Sequence, residues 1–225
     1  MTLQDRLDAL KADFEAGRFP LVPAAQQIET MRRATEELIA SGQAERALKA
    51  GDKAPEFTLK DPDGKPVSSR ELLGKGPLVV SFYRGVWCPY CNLELQALEA
   101  ARPAIEARGA SLVAISPQTA SNSRKSQRDN KLSFPILSDV KSEVANAFGI
   151  RFALPDYLIG LYKSFKNDLP NFNDDPSWVL PMPARYVIGR DGIIVYAEVN
   201  PDYTHRPDPS GLLPVLDRLK VDAAA

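Results

Sequence analysis

Two cysteines, Cys88 and Cys91, are separated by two residues and are the only cysteines in 225 positions. A β-branched, apolar run from Leu78 to Tyr83 leads through a turn at Gly85 into Trp87-Cys88-Pro89-Tyr90-Cys91, and an amphipathic helical pattern follows. With Cys88 at the helix N-cap, Pro89 falls at the first helical position, where its missing N–H costs nothing. The free N–H groups and the positive end of the helix then face the Cys88 sulfur and favour its thiolate. Cys91 follows one turn later. In helical geometry its Cα lies about 5 Å from that of Cys88, within disulfide reach. It points further inward and should hold its proton longer. The expected chemistry has two steps. Cys88 attacks an electrophilic sulfur or oxygen, giving a mixed disulfide or a sulfenic acid, and Cys91 resolves it by closing Cys88–Cys91. A thiol reductant must then restore the dithiol.

Two blander readings stand beside this one: a buried, unreactive pair, or half of a metal site completed by another subunit. Zinc needs four ligands, or three plus water. The chain offers two cysteines and a single histidine, His205, far away in a Pro-rich loop, so no metal is expected and no cofactor is called for. His205 reads as an ordinary loop histidine. Arg84, four residues before Cys88, could steady the thiolate or bind a substrate anion, or could be a surface arginine. Trp87 and Tyr90 flank the cysteines and would wall the site, although packing alone would explain them.

The elements that must position this pair alternate between strand and helix. Residues 1 to about 50 form an expected helical extension. Leu3, Leu7, Leu10 and Phe14 recur at helical spacing up to Gly17, Pro20 and Pro23 break the chain, and Ile28, Met31, Leu38 and Ile39 mark a second helix. These stripes need a partner; packing on the following domain is favoured over a homodimer contact. A short strand at Glu56 to Leu59, a turn at Asp61 to Gly64 and a return at Lys65 to Val67 come next. A short helix from Arg70 to Leu73 is capped by Ser68 or Ser69 and ends at Gly74. After the cysteine helix, Ala110 to Ser116 reads as a buried parallel strand, Thr119 to Leu132 as a polar helix, Phe134 to Leu137 as a strand and Lys141 to Phe148 as a helix with Gly149 at its C-cap. Residues 150 to 181 fit no simple pattern; a helix over Pro155 to Lys166 and then a loop are expected. Strands at Ala184 to Ile188 and Ile193 to Val199 flank a hairpin turn. A last helix runs from Pro209 to Leu219, before a frayed VDAAA tail. The fold class is α/β, a mixed and mostly parallel central sheet with helices on both faces.

Composition excludes several functions. The formal net charge is −1, 44% of residues are hydrophobic and 25% are charged, and no block of either sign invites nucleic acid or an anionic membrane. No run of about 18 apolar residues exists to span a bilayer. The N-terminus lacks the apolar core of a secretory signal, which points to the cytoplasm.

Strand, WCPYC and helix together resemble the thioredoxin superfamily, and Cys88-Pro89-Tyr90-Cys91 is the tetrapeptide common in glutaredoxins. The resemblance places the superfamily's cis-proline at Pro183, within Met182-Pro183-Ala184-Arg185-Tyr186-Val187-Ile188. Over about residues 51 to 220 the chain resembles the peroxiredoxin branch, the AhpC/TSA family. The matching segments are Gly51 to Leu59, Val113 to Ser116, Phe134 to Asp139, Val144 to Gly149 and the Ile188 to Ile194 hairpin. Phe82 to Gly85 leading to Trp87-Cys88-Pro89-Tyr90-Cys91 is similar to the subgroup called peroxiredoxin-like. The resemblance implies a thioredoxin-like domain over 51–225 with an insertion at about 150–181. It makes Cys88 the peroxidatic cysteine and Cys91 the resolving one. Arg84, Trp87, Tyr90, Met182, Pro183 and Arg185 become supporting or substrate-binding candidates.

Departures accompany it. Typical members carry Pro-x-x-x-Thr/Ser-x-x-Cys; here Ser81 takes the proline place and Gly85 the Thr/Ser place, so the hydroxyl that orients peroxide is missing. The family arginine falls on Pro183, with Arg185 two residues on as its substitute. The leading expectation is therefore a peroxidase acting on hydrogen peroxide or alkyl hydroperoxides, recycled by thioredoxin, glutaredoxin or glutathione. A thiol–disulfide oxidoreductase acting on protein or glutathione disulfides is the runner-up, and a non-catalytic redox sensor or interaction module is third.

Overall fold

A computed structural model of the chain describes residues 1–18 and 23–222. Pro20 and the end of the VDAAA tail lie outside the described residues. Helix α1, Leu3–Glu15, begins with a reciprocal capping box between Thr2 and Asp5. It buries Leu3 and Leu7 in the same apolar cluster as Leu95 and Leu98. Helix α2, Ala25–Ala40, is amphipathic but buries none of its side chains fully. A 3-10 turn at Ala44–Arg46 follows.

Strands β1 (Thr58–Lys60) and β2 (Pro66–Ser68) form a hairpin, and helix α3, Ser69–Lys75, is capped by Ser68. It runs past Gly74 to a C-cap at Gly76, where a Cβ would sit 1.9 Å from the Gly109 carbonyl oxygen. The centre is built from β3 (Leu78–Phe82), α4 (Pro89–Glu106), β4 (Ser111–Ser116), α5 (Ala120–Asn130) and β5 (Ile136–Ser138). After a 3-10 turn at Val140–Ser142 come α6 (Glu143–Ala147), β6 (Arg151–Ala153), α7 (Asp156–Ser164), α8 (Leu169–Asn173), β7 (Val179–Pro181), β8 (Ala184–Ile188) and β9 (Ile194–Val199). A 3-10 turn at Pro209–Gly211 leads into α9, Leu212–Asp222.

Seven strands form one mixed sheet in the order β2-β1-β5-β4-β3-β8-β9. The pairs β3–β4 and β4–β5 are parallel, whereas β3–β8, β8–β9, β1–β2 and β1–β5 are antiparallel, so the sheet is mixed but not mostly parallel: hairpins, not helical crossovers, supply its edges. Every residue of β3 is buried, as a strand covered on both faces requires. Alternation sends Val79 and Val187 to the face under α1, α4 and α9, and Leu78, Val80, Phe82, Tyr186 and Ile188 to the other.

The stretch from 150 to 181 is more ordered than a helix and a loop. Its ends pair as a two-stranded sheet, with Arg151 opposite Pro181. Leu154, Leu158, Leu161, Tyr162, Leu169 and Leu180 close a small core of their own. The three-residue strands are too short to carry a readable period.

Candidate active site

β3 delivers the chain to the site, and α4 leaves from it. The turn between them is set by Gly85, whose φ of +149° L side chains rarely adopt. A Cβ at that position would meet the Trp87 indole nitrogen at 2.5 Å. Val86 donates its N–H to Gln118 Oε1 at 2.9 Å, and Asn92 Nδ2 donates to the Val86 carbonyl at 2.9 Å, so the turn is pinned from two sides. Cys88 is the N-cap of α4 with extended backbone, and Pro89 opens the helix.

Both sulfurs are reduced and buried. Arg84 is buried as well, with its Nη1 4.0 Å from Cys88 Sγ. Its guanidinium lies over the Tyr203 ring at 4.1 Å and the Trp87 ring at 4.9 Å, and Nη2 donates to the Tyr162 hydroxyl. Arg84 is thus no surface arginine. The charged end is packed on three aromatic rings and aimed at sulfur.

Burial alone would push the Cys88 thiol up. The hydrogen bond from the Cys91 side chain and the nearby Arg84 guanidinium more than reverse it, and Cys88 falls to about 6. Burial pushes Cys91 well above the ordinary thiol range, and its hydrogen bond to Cys88 adds to the rise. At neutral pH the pair therefore holds one negative charge on Cys88 and one proton on Cys91.

A cavity of about 520 Å³ opens onto Cys88. Arg84, Trp87, Pro89, Tyr90, Tyr162 and Tyr203 line its inner end. Its roof comes from α1 and α2, through Leu10, Phe14, Ile28, Met31 and Ile39. Lys11 and Arg32 also line it. Tyr90 packs edge-on against Tyr203, and Trp87 against Tyr162, each pair with ring centroids 5.5 Å apart.

The other expected residues are placed differently. Among the described residues no peptide bond is cis, so Met182–Pro183 is trans. Trans is the lower-energy isomer, and here it carries the chain extended from β7 into β8. Pro183 does stay near the site, lining a smaller cavity with Arg84, Tyr162 and Tyr203. Met182 is buried on the far face of the sheet, held by its N–H to Ile150 O at 2.8 Å. Arg185 does not take the place of an arginine over the thiolate. It points to the α4 face, where its Nη2 reaches Glu94 Oε1 at 2.8 Å and its Nη1 the Pro207 carbonyl at 3.1 Å. His205 is largely exposed and bonds to Asp202 at 2.9 Å.

Four contributors escaped sequence reasoning: Gln118, Tyr162, Tyr203 and Arg206. Arg206 is buried, with its Nη2 3.9 Å from Cys91 Sγ and its Nε donating to Glu94 Oε2 at 2.6 Å. A signal for it existed in Glu94, a carboxylate on the apolar stripe of α4 that needs a cationic partner. Among the described residues no group of three or more His, Cys, Asp or Glu stands where it could hold a metal ion.

Comparison with known proteins agrees with this architecture. The chain is 29% identical over 146 residues to the putative peroxiredoxin Q, chloroplastic, of Oryza sativa subsp. indica, covering 65% of this chain and 57% of that protein. It is 34% identical over 110 residues to the thiol-disulfide oxidoreductase ResA of Halalkalibacterium halodurans, covering 48% of this chain and 61% of that protein. The chain thus spans a little over half the length of the rice relative. The crystal structure of the peroxidoxin BcpB from Mycobacterium tuberculosis superposes with a TM-score of 0.60 at 22% identity, covering 77% of this chain and 97% of that one, which establishes the thioredoxin-like fold. The model of the AhpC/TSA family matches residues 50–197, well over half of the chain, including both cysteines and Arg84, and the chain belongs to that family.

Proposed function

We propose that the chain is a thiol peroxidase of peroxiredoxin type that reduces organic hydroperoxides through a Cys88/Cys91 cycle. The observation that carries this reading is the Cys88 sulfur, lowered to about 6 beside Arg84, at the inner end of a mainly apolar cavity. A thiolate is the nucleophile that attacks the peroxide O–O bond. Cys88 thiolate takes the terminal oxygen and becomes a sulfenic acid, and the alkoxide leaves as the alcohol after gaining a proton. The Cys91 thiol then gives the Cys88–Cys91 disulfide and water. A dithiol protein of thioredoxin or glutaredoxin type, or glutathione, returns two electrons and two protons. The apolar walls favour an alkyl hydroperoxide over hydrogen peroxide, because water-sized polar ligands gain nothing from them.

The test is stopped-flow oxidation of the reduced protein by cumene hydroperoxide and by hydrogen peroxide, with Cys88→Ser as control. Oxidation of Cys88 by both at the rate of a free thiol would sink the reading.

One observation favours a second reading. The chain is similar to a thiol-disulfide oxidoreductase, and a Cys-x-x-Cys dithiol performs disulfide exchange without any need for a hydroxyl at Gly85. In that reading Cys88 attacks a protein or glutathione disulfide. Turnover of insulin or of a mixed glutathione disulfide supports it, and failure on both removes it.

A further inference from the structure

Beneath the dithiol lies a buried group of charges that the cycle above leaves unused. Glu94 stands one turn after Cys91 on α4 and accepts from Arg185 at 2.8 Å and from Arg206 at 2.6 Å. Relative exposures are 2% for Glu94, 1% for Arg185 and 5% for Arg206. Two guanidinium groups share one carboxylate, so the group carries a net positive charge away from water. A buried charge is costly unless something answers it. Arg185 alone would neutralise Glu94. The second cation is fixed by four contacts: Nε on Glu94, Nη1 on the Tyr203 and His205 carbonyls at 2.7 Å each, and Nη2 on Cys91 Sγ at 3.9 Å.

In the resting protein Cys91 keeps its proton first because it is buried, and further because the neighbouring thiolate accepts that proton in a hydrogen bond. Once Cys88 carries an oxygen, that negative sulfur becomes a neutral sulfenic acid. What the thiolate added to the effect of burial is gone, whereas Arg206 is still in place to oppose burial. The remaining neighbours do not take over its role. Tyr83 and Tyr162 have their phenols raised by burial and stay neutral, and Arg84, set against Cys88, favours the Cys91 thiolate less than Arg206 does.

We infer that Arg206, held by Glu94, is the residue that turns Cys91 into a nucleophile after Cys88 has been oxidised. Cys91 gives up its proton, its thiolate attacks the Cys88 sulfur, the Cys88 S–O bond breaks as the S–S bond forms, and the departing hydroxide leaves with that proton as water. The dithiol thereby exchanges roles within one cycle. Arg84 sustains the thiolate of the first step, and Arg206 that of the second. The inference rests on the peroxidase reading only for the identity of the oxidised form of Cys88.

The closing experiment separates the two. In Cys88→Ser a neutral hydroxyl stands where the sulfenic acid would be, and Cys91 is titrated by thiolate absorbance near 240 nm without any peroxide. With Arg206 intact, its midpoint lies at least one pH unit below that of Cys88→Ser/Arg206→Met; equal midpoints overturn the inference. In the otherwise native protein, Arg206→Met slows disulfide closure at neutral pH about tenfold and shifts its pH midpoint upward, while Arg206→Lys recovers part of the rate. Closure as fast in Arg206→Met as in the native protein also overturns it. If Arg206→Met fails to fold, Arg206→Gln in the Cys88→Ser background decides, because it keeps a donor for Glu94 while removing the charge and must raise the Cys91 midpoint by at least one pH unit, and an unchanged or lowered one refutes the role. Failure of every peroxide to oxidise Cys88 removes the peroxidase reading and leaves the titration to judge Arg206.

Discussion

The indole of Trp87 occupies the space that a side chain at Gly85 would fill, with its nitrogen 2.5 Å from where the Cβ would stand. Relatives with Thr or Ser at the matching place have a hydroxyl there; in this chain the place is taken by an aromatic wall. Gly85→Thr therefore does not restore a peroxide-orienting hydroxyl. It forces both the left-handed backbone and the indole to move, at about 2–4 kcal/mol from strain and overpacking together. Urea unfolding should show that loss, and the peroxide rate should fall rather than rise. A faster Gly85→Thr protein of native stability would contradict the packing account.

Arg84 is the second handle. It is the cation that faces Cys88, and the thiolate depends on it. With the Cys88 pKa lowered to about 6, the reactive form is present above that pH and lost as pH falls through it. The pH–rate profile should rise to a plateau with a midpoint near 6. In Arg84→Met the midpoint moves up by at least a unit, and the rate at pH 7 drops tenfold or more. A profile unchanged by the substitution would remove Arg84 from the chemistry.

The cavity roof makes a selectivity prediction. Ile28 on α2 lines the cavity but touches none of the reacting atoms in the scheme above. Ile28→Trp fills the apolar end. The ratio of the cumene hydroperoxide rate to the hydrogen peroxide rate should fall about tenfold, measured by stopped flow. If the ratio holds, the roof does not receive the alkyl group.

Leu7 is fully buried where α1 meets α4. Leu7→Ala leaves a cavity at that contact and should cost about 2–5 kcal/mol. Chemical denaturation checks the size. A loss below about 1 kcal/mol would mean that α1 is loosely attached.

Much of the fold was legible because its periods are strong. The all-apolar β3 and β4, the N-cap cysteine followed by proline, and the Gly-Arg-Asp-Gly hairpin each carry a local physical signature. The two N-terminal helices were readable from Leu3, Leu7 and the 28–39 stripe, yet their position over the cavity was not, since a stripe does not name its partner. The insertion was the least legible part. Its strands are three residues long and pair across almost thirty positions, a non-local contact without a sequence period. At the site, the two cysteines and Arg84 could be found from spacing along one strand and helix. Tyr162, Tyr203 and Arg206 come from segments 70 to 120 residues further along the chain, and tertiary packing alone brings them in. The cis-proline expectation failed for a related reason. Sequence placed Pro183 next to the site, but an X-Pro pair in the sequence does not carry its isomer, and the bond is trans.

A consequence for recycling follows from α2, which has no fully buried side chain. A protein reductant must touch sulfur, and of the two sulfurs only Cys88 opens onto the roofed cavity. Among the helices lining that cavity, α2 buries no side chain fully; it rests Met31 and Ala34 on the core of the insertion and meets Tyr157 through Arg33 at 4.3 Å and through Glu37. Local opening costs least where the fewest apolar contacts are lost. For the protein reductant proposed above, the encounter would be gated: its rate would have a ceiling set by how often α2 lifts rather than by how much reductant is supplied.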